Sequence, residues 1–248
     1  MAKVGILRFP GTNCDRDTWQ AIEESGGQPQ WLWHKDRFDV KDYESFIVPG
    51  GFSYGDYLRS GALAAHSPVM SSLKEAAEKG APIFGICNGF QVMTQLGLVP
   101  ALDGKFGEQQ AGLMRNESTK YQCEWVDVKN ISQKCVWTKG IEKMPIPIAH
   151  GEGNFYIDDE KLAQLKANDQ VVFEYDGKNP NGSIANIAGI CDPSGRIFGL
   201  MPHPERFLFA TNHPQWTKQA EVARRNDLAF DPMGLGQKIF DNAVQYFL

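Results

Sequence analysis

Short apolar segments alternate with helical stretches through the first hundred residues of the chain. The apolar segments are residues 4–7, 31–33, 46–48 and 82–86. Helical patterns fill the gaps, from about Asn13 or Asp15 to Gly26, from Ser67-Pro68 to Lys79, and from about Gly89 to Leu96. Apolar strands with intervening helices are typical of a parallel sheet that helices cover on both faces. The pattern therefore predicts an α/β fold: an open, mostly parallel, flavodoxin-like sheet.

The second half of the chain is less regular and predicts an antiparallel extension of that sheet. Strand candidates are residues 123–128, 146–149, 171–175, 187–190 and 197–201, and Asp192-Pro193-Ser194-Gly195 is a hairpin turn between the last two. A closing helix is predicted over residues 231–248, with Asp231 as its cap and Pro232 in its first turn. Without a repeat or a flexible linker, residues 1–248 are interpreted as a single domain.

Charge and cysteine usage exclude several classes of protein. The net charge of −5 argues against a general nucleic-acid binder and against a polybasic membrane patch. No apolar run approaches the roughly 20 residues needed to span a bilayer, and the N-terminus lacks a signal-peptide pattern. Five cysteines without a C-x-x-C pair favour free thiols over disulfides or zinc. A cytoplasmic protein is expected.

The strongest chemical signal is Gly85-Ile86-Cys87-Asn88-Gly89, between a predicted strand and a predicted helix. This is the nucleophile-elbow pattern, in which glycines permit a tight turn that exposes the nucleophile above the sheet. The helix N-terminus favours a thiolate at Cys87, and the N–H of Asn88 is placed to stabilise an oxyanion. A buried structural cysteine between packing glycines would give the same pentapeptide.

His203 is the candidate base, because it ends a predicted strand in Met201-Pro202-His203-Pro204-Glu205. In an extended chain, residues two apart face the same side, so Glu205 would orient the imidazole ring of His203. A surface histidine beside a glutamate is the plainer interpretation of this short segment.

A glycine-rich loop, Pro49-Gly50-Gly51-Phe52-Ser53-Tyr54-Gly55-Asp56-Tyr57, follows the third strand at the carboxyl edge of the sheet, where ligands bind in such folds. Gly51 or Phe52 would supply the second oxyanion donor. The alternative is a turn-rich loop with aromatic packing. The sequence contains neither of the glycine-rich nucleotide-binding motifs, G-x-x-x-x-G-K-[ST] and G-x-G-x-x-G. It also contains no cluster of metal-ligating residues. These features favour acyl chemistry on a thiol.

Together, these segments resemble the class I (triad) glutamine amidotransferases, and within them the glutaminase subunits of phosphoribosylformylglycinamidine synthases. Further matching segments are residues 9–17, 50–61, 87–91, 149–153 and 202–206, which span most of the chain. The resemblance implies that Cys87 is the nucleophile, His203 the general acid and base, and Glu205 the orienting carboxylate. It further implies that oxyanion and glutamine contacts come from Gly50, Gly51, Phe52, Asn88, Gln91, Asn116, Tyr121, Gln122 and His150.

The resemblance also implies the reaction and its partners. L-glutamine would be hydrolysed to glutamate and ammonia through a thioester on Cys87. A larger synthetase subunit would use the ammonia in the ATP-dependent conversion of formylglycinamide ribonucleotide to formylglycinamidine ribonucleotide, in de novo purine biosynthesis. ATP and Mg²⁺ are expected on that subunit, with no cofactor in this chain. A small accessory subunit is expected to join the complex.

Two other functions remain open at this point: a stand-alone cysteine hydrolase of γ-glutamyl compounds, and a non-catalytic module on the same fold. One position departs from the family pattern, because Glu124 precedes Trp125 where relatives often carry a basic residue. The role of the segment after Arg206, with Lys218, Arg224 and Arg225, is not predicted.

Overall fold

The computed structural model describes residues 1–246 and has a nine-stranded sheet at its centre. The strands are β1 Lys3–Arg8, β2 Gln28–Trp33, β3 Ser45–Val48, β4 Ile83–Ile86, β5 Gly112–Met114, β6 Gln122–Asn130, β7 Lys143–His150, β8 Asn154–Tyr156, β9 Val171–Tyr175, β10 Ile187–Cys191 and β11 Ile197–Leu200. The helices are α1 Asp15–Glu24, α2 Pro68–Glu78, α3 Asn88–Gln95, α4 Asp159–Ala167, α5 Trp216–Arg225 and α6 Gln237–Gln245. Within the described residues, no helix has the length and apolarity needed to cross a membrane.

The strand order separates a parallel half of the sheet from an antiparallel half. The order is β2-β1-β3-β4-β11-β10-β9-β6-β7, and β5 and β8 form a separate two-stranded sheet. Neighbours from β2 to β11 are parallel, whereas those from β11 to β7 are antiparallel. The predicted α/β fold with an antiparallel extension is confirmed. The order reverses between β1 and β3, where open α/β sheets bind their ligands.

Alternate residues of β4 show that helices cover both faces of the parallel half. The ring of Phe84 lies 6.1 Å from that of Phe240, in α6. Its neighbour Gly85 faces the other way, because a Cβ there would lie 2.5 Å from the sulfur of Met93, in α3. All four residues of β4 are buried, as expected for a strand packed on both faces.

The end of the chain differs from the prediction. The closing helix begins at Gln237 rather than Asp231, and residues 247–248 of the predicted helix lie outside the described part. The backbone N–H groups of Gly234 and Gly236 donate to Leu208 and Phe207, so this stretch is held against another loop instead of coiling. The side chain of Asp231 accepts a hydrogen bond from Met233 in that turn and caps no helix.

Candidate active site

Cys87 lies at the junction between β4 and α3 in a backbone conformation that side-chain-bearing residues rarely adopt. Its φ and ψ are 50° and −104°, and it occupies the N-cap position of α3. Strain of this kind persists only where the surrounding structure enforces it, and it is common at active sites. The side chain is 5% exposed and reaches the wall of a cavity. The geometry is that of a nucleophile elbow.

The two glycines of the pentapeptide are required by close packing. A Cβ on Gly89 would lie 1.8 Å from the carbonyl oxygen of Val48, and one on Gly85 would lie 2.9 Å from the backbone of Gly89. Any side chain at these positions would push α3 away from the sheet. The glycines therefore bring the start of α3 close to β3 and β4, which fixes the position of the Cys87 sulfur.

His203 and Glu205 form a buried hydrogen-bonded pair. The imidazole Nδ1 and the carboxylate Oε1 are 2.6 Å apart, and the two side chains are 2% and 0% exposed. The backbone differs from the predicted extended segment, because residues Pro204–Arg206 form a 3₁₀ turn. The turn still brings the carboxylate back to the ring. Since Nδ1–H donates to Glu205, Nε2 is the nitrogen that can exchange a proton.

The surroundings of His203 favour its protonated form. Burial acts against the charged ring, but interactions of the ring with Glu205, Cys87 and Cys14 outweigh burial and raise the pKa of His203 well above its ordinary value. Nε2 has no hydrogen-bond partner within residues 1–246. The ring lies close enough to Cys87 for the two side chains to interact electrostatically.

The predicted oxyanion loop offers one of its two candidate donors. The N–H of Phe52 is 2.9 Å from the carbonyl oxygen of Gly11, to which it donates. The N–H of Gly51 has no acceptor within the described part of the chain, and Gly51 lines the cavity beside Cys87. Its φ of 140° favours glycine. Gly51 and Asn88, the first residue of α3, are thus the better pair of donors.

The cavity beside Cys87 has a volume of about 210 Å³, below the usual range for drug-sized ligands. Tyr121 forms part of its rim, where its ring stacks on Phe52 at 6.3 Å. The size suits an amino acid. The sequence-predicted residues that line the cavity are Gly51, Phe52, Cys87, Gln91, Tyr121 and His150.

Other predicted residues support the cavity from outside its wall. The amide of Asn88 donates to Asp56 and Gln91, and the carbonyl of Gly50 accepts from Cys14. Asn116 donates to the carbonyl of His150 and accepts from Gly153, so it shapes the loop after β7. Gln122 donates to Ser118 and does not line the cavity.

Sequence reasoning did not find five further lining residues. Asp56 lies in the glycine-rich loop and Ser60 lies just after it, both within the matching segment 50–61, and Glu152 lies in the matching segment 149–153. Their acidic and hydroxyl groups were the available signal. The full set of added lining residues is Asp56, Ser60, Ala149, Gly151 and Glu152.

A second buried cysteine lies behind His203. The sulfur of Cys14 is 3.8 Å from Nδ1 of His203 and 3.0 Å from the guanidinium of Arg206. Burial raises the pKa of Cys14, although His203 and Arg206 lower it. Cys14, His203 and Glu205 could together ligate a metal, but the Arg206 guanidinium already supplies a cation there. That this chain needs no metal stays a prediction.

Comparison with known proteins places this geometry in a family. Residues 1–247 match the family model of the CobB/CobQ-like glutamine amidotransferase domain. The chain belongs to this family. The glutamine amidotransferase resemblance drawn from the sequence is therefore confirmed.

Individual relatives show which members of this family the chain is similar to. A phosphoribosylformylglycinamidine synthase subunit PurQ from Nostoc sp. is 48% identical over 208 residues, covering 82% of this chain and 88% of that protein. The PurQ of Methanococcus maripaludis is 42% identical over 264 residues, covering 99% of this chain and 97% of that protein. A solved structure of PurLQS from Thermotoga maritima matches with a TM-score of 0.80 and 35% identity, over 100% of both chains. The narrower resemblance to these glutaminase subunits is likewise confirmed.

Glu124, the position that departs from the family pattern, is half-buried in this glutamine amidotransferase. Glu124 pairs with Lys178 at 3.4 Å, and the ring of Trp125 packs edge-on against Phe207 and His213.

The segment after Arg206 contains helix α5, where the carboxylate of Glu221 pairs with Arg224 and Arg225, each at 2.8 Å.

The buried ring of His150 makes the stability of the domain depend on pH. Burial, reinforced by the charge of His203, lowers the pKa of His150 from 6.5 to about 4. The folded state keeps the ring neutral, whereas the unfolded chain protonates it near the ordinary pKa of 6.5. Protonation therefore favours the unfolded chain below pH 6.5, and the free energy of unfolding decreases as the pH falls from 6.5 toward 4. We expect a loss on the order of 3 kcal/mol.

Urea denaturation above pH 7 and near pH 4 measures this effect. His150→Asn should flatten the acid dependence relative to the unmodified protein, whereas the same change at the exposed His66 should not. Equal acid dependence in the protein with and without His150 would contradict the assignment.

Proposed function

We propose that this chain hydrolyses L-glutamine at Cys87 and supplies ammonia to a larger synthetase subunit, as the glutaminase subunit of phosphoribosylformylglycinamidine synthase. The single observation that carries the chemistry is the buried 2.6 Å hydrogen bond between His203 and Glu205, beside a strained cysteine at a cavity wall. The PurQ relatives and the PurLQS neighbour support the biological assignment.

The first half of the reaction forms a thioester. His203 holds the thiol proton, and the Cys87 sulfur attacks the side-chain amide carbon of glutamine. The N–H groups of Gly51 and Asn88 stabilise the oxyanion, and one such donor typically lowers the barrier by about 3 kcal/mol. His203 then gives its proton to the departing nitrogen, so ammonia leaves and a γ-glutamyl thioester remains.

The second half regenerates the enzyme. Neutral His203 removes a proton from water, whose oxygen attacks the thioester carbon. The intermediate collapses, glutamate leaves and the Cys87 sulfur recovers its proton from the imidazolium. Glu205 stays ionised throughout and stabilises the charged ring at both stages.

Ammonia is then used outside this chain. We infer that ATP and Mg²⁺ bind on the synthetase subunit, which converts formylglycinamide ribonucleotide to formylglycinamidine ribonucleotide, and that a small accessory subunit joins the complex. Because ammonia is mostly protonated near pH 7 and then no longer nucleophilic, a protected passage between subunits fits this chemistry. The five free thiols support a cytoplasmic location.

Coupling between the subunits provides the test. We expect glutamine-dependent amidation of formylglycinamide ribonucleotide only when the synthetase subunit and ATP are present, and faster glutamine hydrolysis in the assembly than in the isolated chain. Ammonia release and product formation are measured together. Full-speed hydrolysis by the isolated chain would contradict the coupling and favour a stand-alone hydrolase.

A further inference from the structure

The segment that joins β1 to α1 lies within the matching residues 9–17, but the reaction described above gives it no role. Its backbone is tied to the glycine-rich loop. The carbonyl oxygen of Gly11 accepts a hydrogen bond from the N–H of Phe52 at 2.9 Å, and Thr12 forms an antiparallel bridge with Gly51. The position of the Gly51 N–H, a proposed oxyanion donor, therefore depends on this segment.

Cys14, at the end of the same segment, connects it to His203. The backbone N–H of Cys14 donates to the carbonyl oxygen of Gly50 at 3.2 Å, and its sulfur lies 3.8 Å from Nδ1 of His203. Gly50 leaves room for this contact, because a Cβ there would lie 2.8 Å from the imidazole and 3.2 Å from the sulfur. Three parts of the site therefore meet at one buried side chain: the segment itself, the glycine-rich loop and the imidazole ring.

The sulfur of Cys14 contacts the ring without exchanging a proton with it. Nδ1–H of His203 donates to Glu205 at 2.6 Å, so the more distant sulfur packs against the edge of the ring. Burial raises the pKa of Cys14, and its thiol donates to Oδ1 of Asn13 at 3.1 Å. A neutral, buried sulfur of this kind restricts the ring and leaves Nε2 available.

Arg206 fixes the position of that sulfur. Its half-buried guanidinium donates to Sγ of Cys14 at 3.0 Å and forms no salt bridge with a carboxylate in residues 1–246. The neighbouring carboxylate, Glu205, pairs with His203 instead. Both side chains come from the 3₁₀ turn Pro204–Arg206. One turn therefore supplies the carboxylate that orients the ring and the guanidinium that holds the sulfur against it.

We propose that Arg206 and Cys14 are positioning residues that hold the imidazole of His203 in place relative to the N–H of Gly51. The inference rests on the proposed function and adds residues that act through His203. Neither residue lines the cavity, so neither is expected to contact glutamine. A displacement of about 1 Å in a catalytic group can lower the rate by about 100-fold, so loss of this support should slow both proton transfers.

Substitutions at the two positions test the proposal in the chain assembled with its synthetase subunit. Arg206→Met and Cys14→Ala should each lower kcat for ammonia release from glutamine roughly 10- to 100-fold, while KM stays within about threefold. Arg206→Lys and Cys14→Ser retain a polar contact and should recover part of the rate. Because Arg206 acts through Cys14, the double variant should lose no more activity than the more impaired single variant.

Two control substitutions remove the same groups elsewhere. Arg37→Met, at an exposed position after β2, and Cys135→Ala, at another buried cysteine outside the cavity, should keep the unmodified kcat. Rates are normalised to the folded fraction measured by urea denaturation, so instability cannot imitate the effect. An unchanged kcat in either test variant, a loss confined to KM, or additive losses in the double variant would overturn the proposal.

Failure of the proposed function gives a different result. If the unmodified assembly released no ammonia from glutamine, that function would be wrong, but the positioning role can still be measured by alkylation of Cys87 with chloroacetamide. Cys87 reacts as the thiolate, and a displaced imidazole removes the thiol proton less readily. Alkylation near pH 7 should therefore be at least about threefold slower in Arg206→Met. An alkylation rate equal to that of the unmodified chain would contradict the positioning role.

Discussion

Cys87→Ala should abolish glutamine-dependent amidation by the assembled enzyme and spare amidation with added ammonium salt. Without the sulfur no thioester forms, and removal of a covalent nucleophile typically costs about 10⁴-fold or more in kcat. The synthetase reaction with free ammonia does not pass through this cavity chemistry, so its rate should change less than about twofold. The two assays share every component except the nitrogen source.

The matched control is Cys123→Ala, since Cys123 is an exposed cysteine on β6 and does not line the cavity. It should retain both activities. If Cys87→Ala kept its glutamine-dependent rate, the non-catalytic interpretation of the fold would regain support. If it lost both activities, Cys87 would be acting on assembly rather than on glutamine.

Glu205→Gln should lower glutamine-dependent kcat by roughly 10²- to 10⁴-fold, because the change removes the charge that holds the imidazolium and its tautomer. Glu205 acts through His203 and is a positioning residue. Its negative charge raises the pKa of His203, so the limb of the pH–rate profile that reports this ring should move to lower pH in the variant. Glu205→Asp should recover part of the rate.

The pH profile distinguishes positioning from simple loss of packing. Glu142→Gln, at an exposed position before β7, is the control and should match the unmodified enzyme in rate and profile. A Glu205→Gln enzyme with reduced kcat but an unshifted profile would contradict electrostatic coupling between the carboxylate and the ring.

The parallel half of the fold could be predicted from the sequence because its strands are buried on both faces. Such strands form continuous apolar runs, so residues 4–7 and 46–48 lie within observed strands, and the run 82–86 matches β4 except for Pro82. The elbow was also predictable, because close contacts with α3 and β3 leave no room for a side chain at its two glycine positions.

The elements that the sequence did not reveal lack such a local signal. Strands β5 and β8 are three residues long and pair with each other across about forty positions of chain. Helix α4 buries only Leu165, and α5 buries no residue, so neither shows a strong apolar stripe. The start of α6 depends on backbone hydrogen bonds to a distant loop.

The site was predictable where one segment carries the chemistry and less so where loops meet. His203 and Glu205 are two residues apart, and their contact was expected, although a 3₁₀ turn forms it. Asp56 and Glu152 are far apart in sequence and meet only at the cavity. The N–H of Phe52 donates to the carbonyl oxygen of Gly11, and this hydrogen bond could not be predicted from the sequence because it forms only in the folded loop.

The position of the γ-glutamyl group after reaction with glutamine tests the central claim most directly. The assembled enzyme is mixed with glutamine and quenched in acid, and its peptides are examined by mass spectrometry. The adduct should be on Cys87, whose sulfur reaches the cavity. An adduct on Cys14, the buried thiol beside His203, or turnover with none of the cysteines modified, would contradict the mechanism.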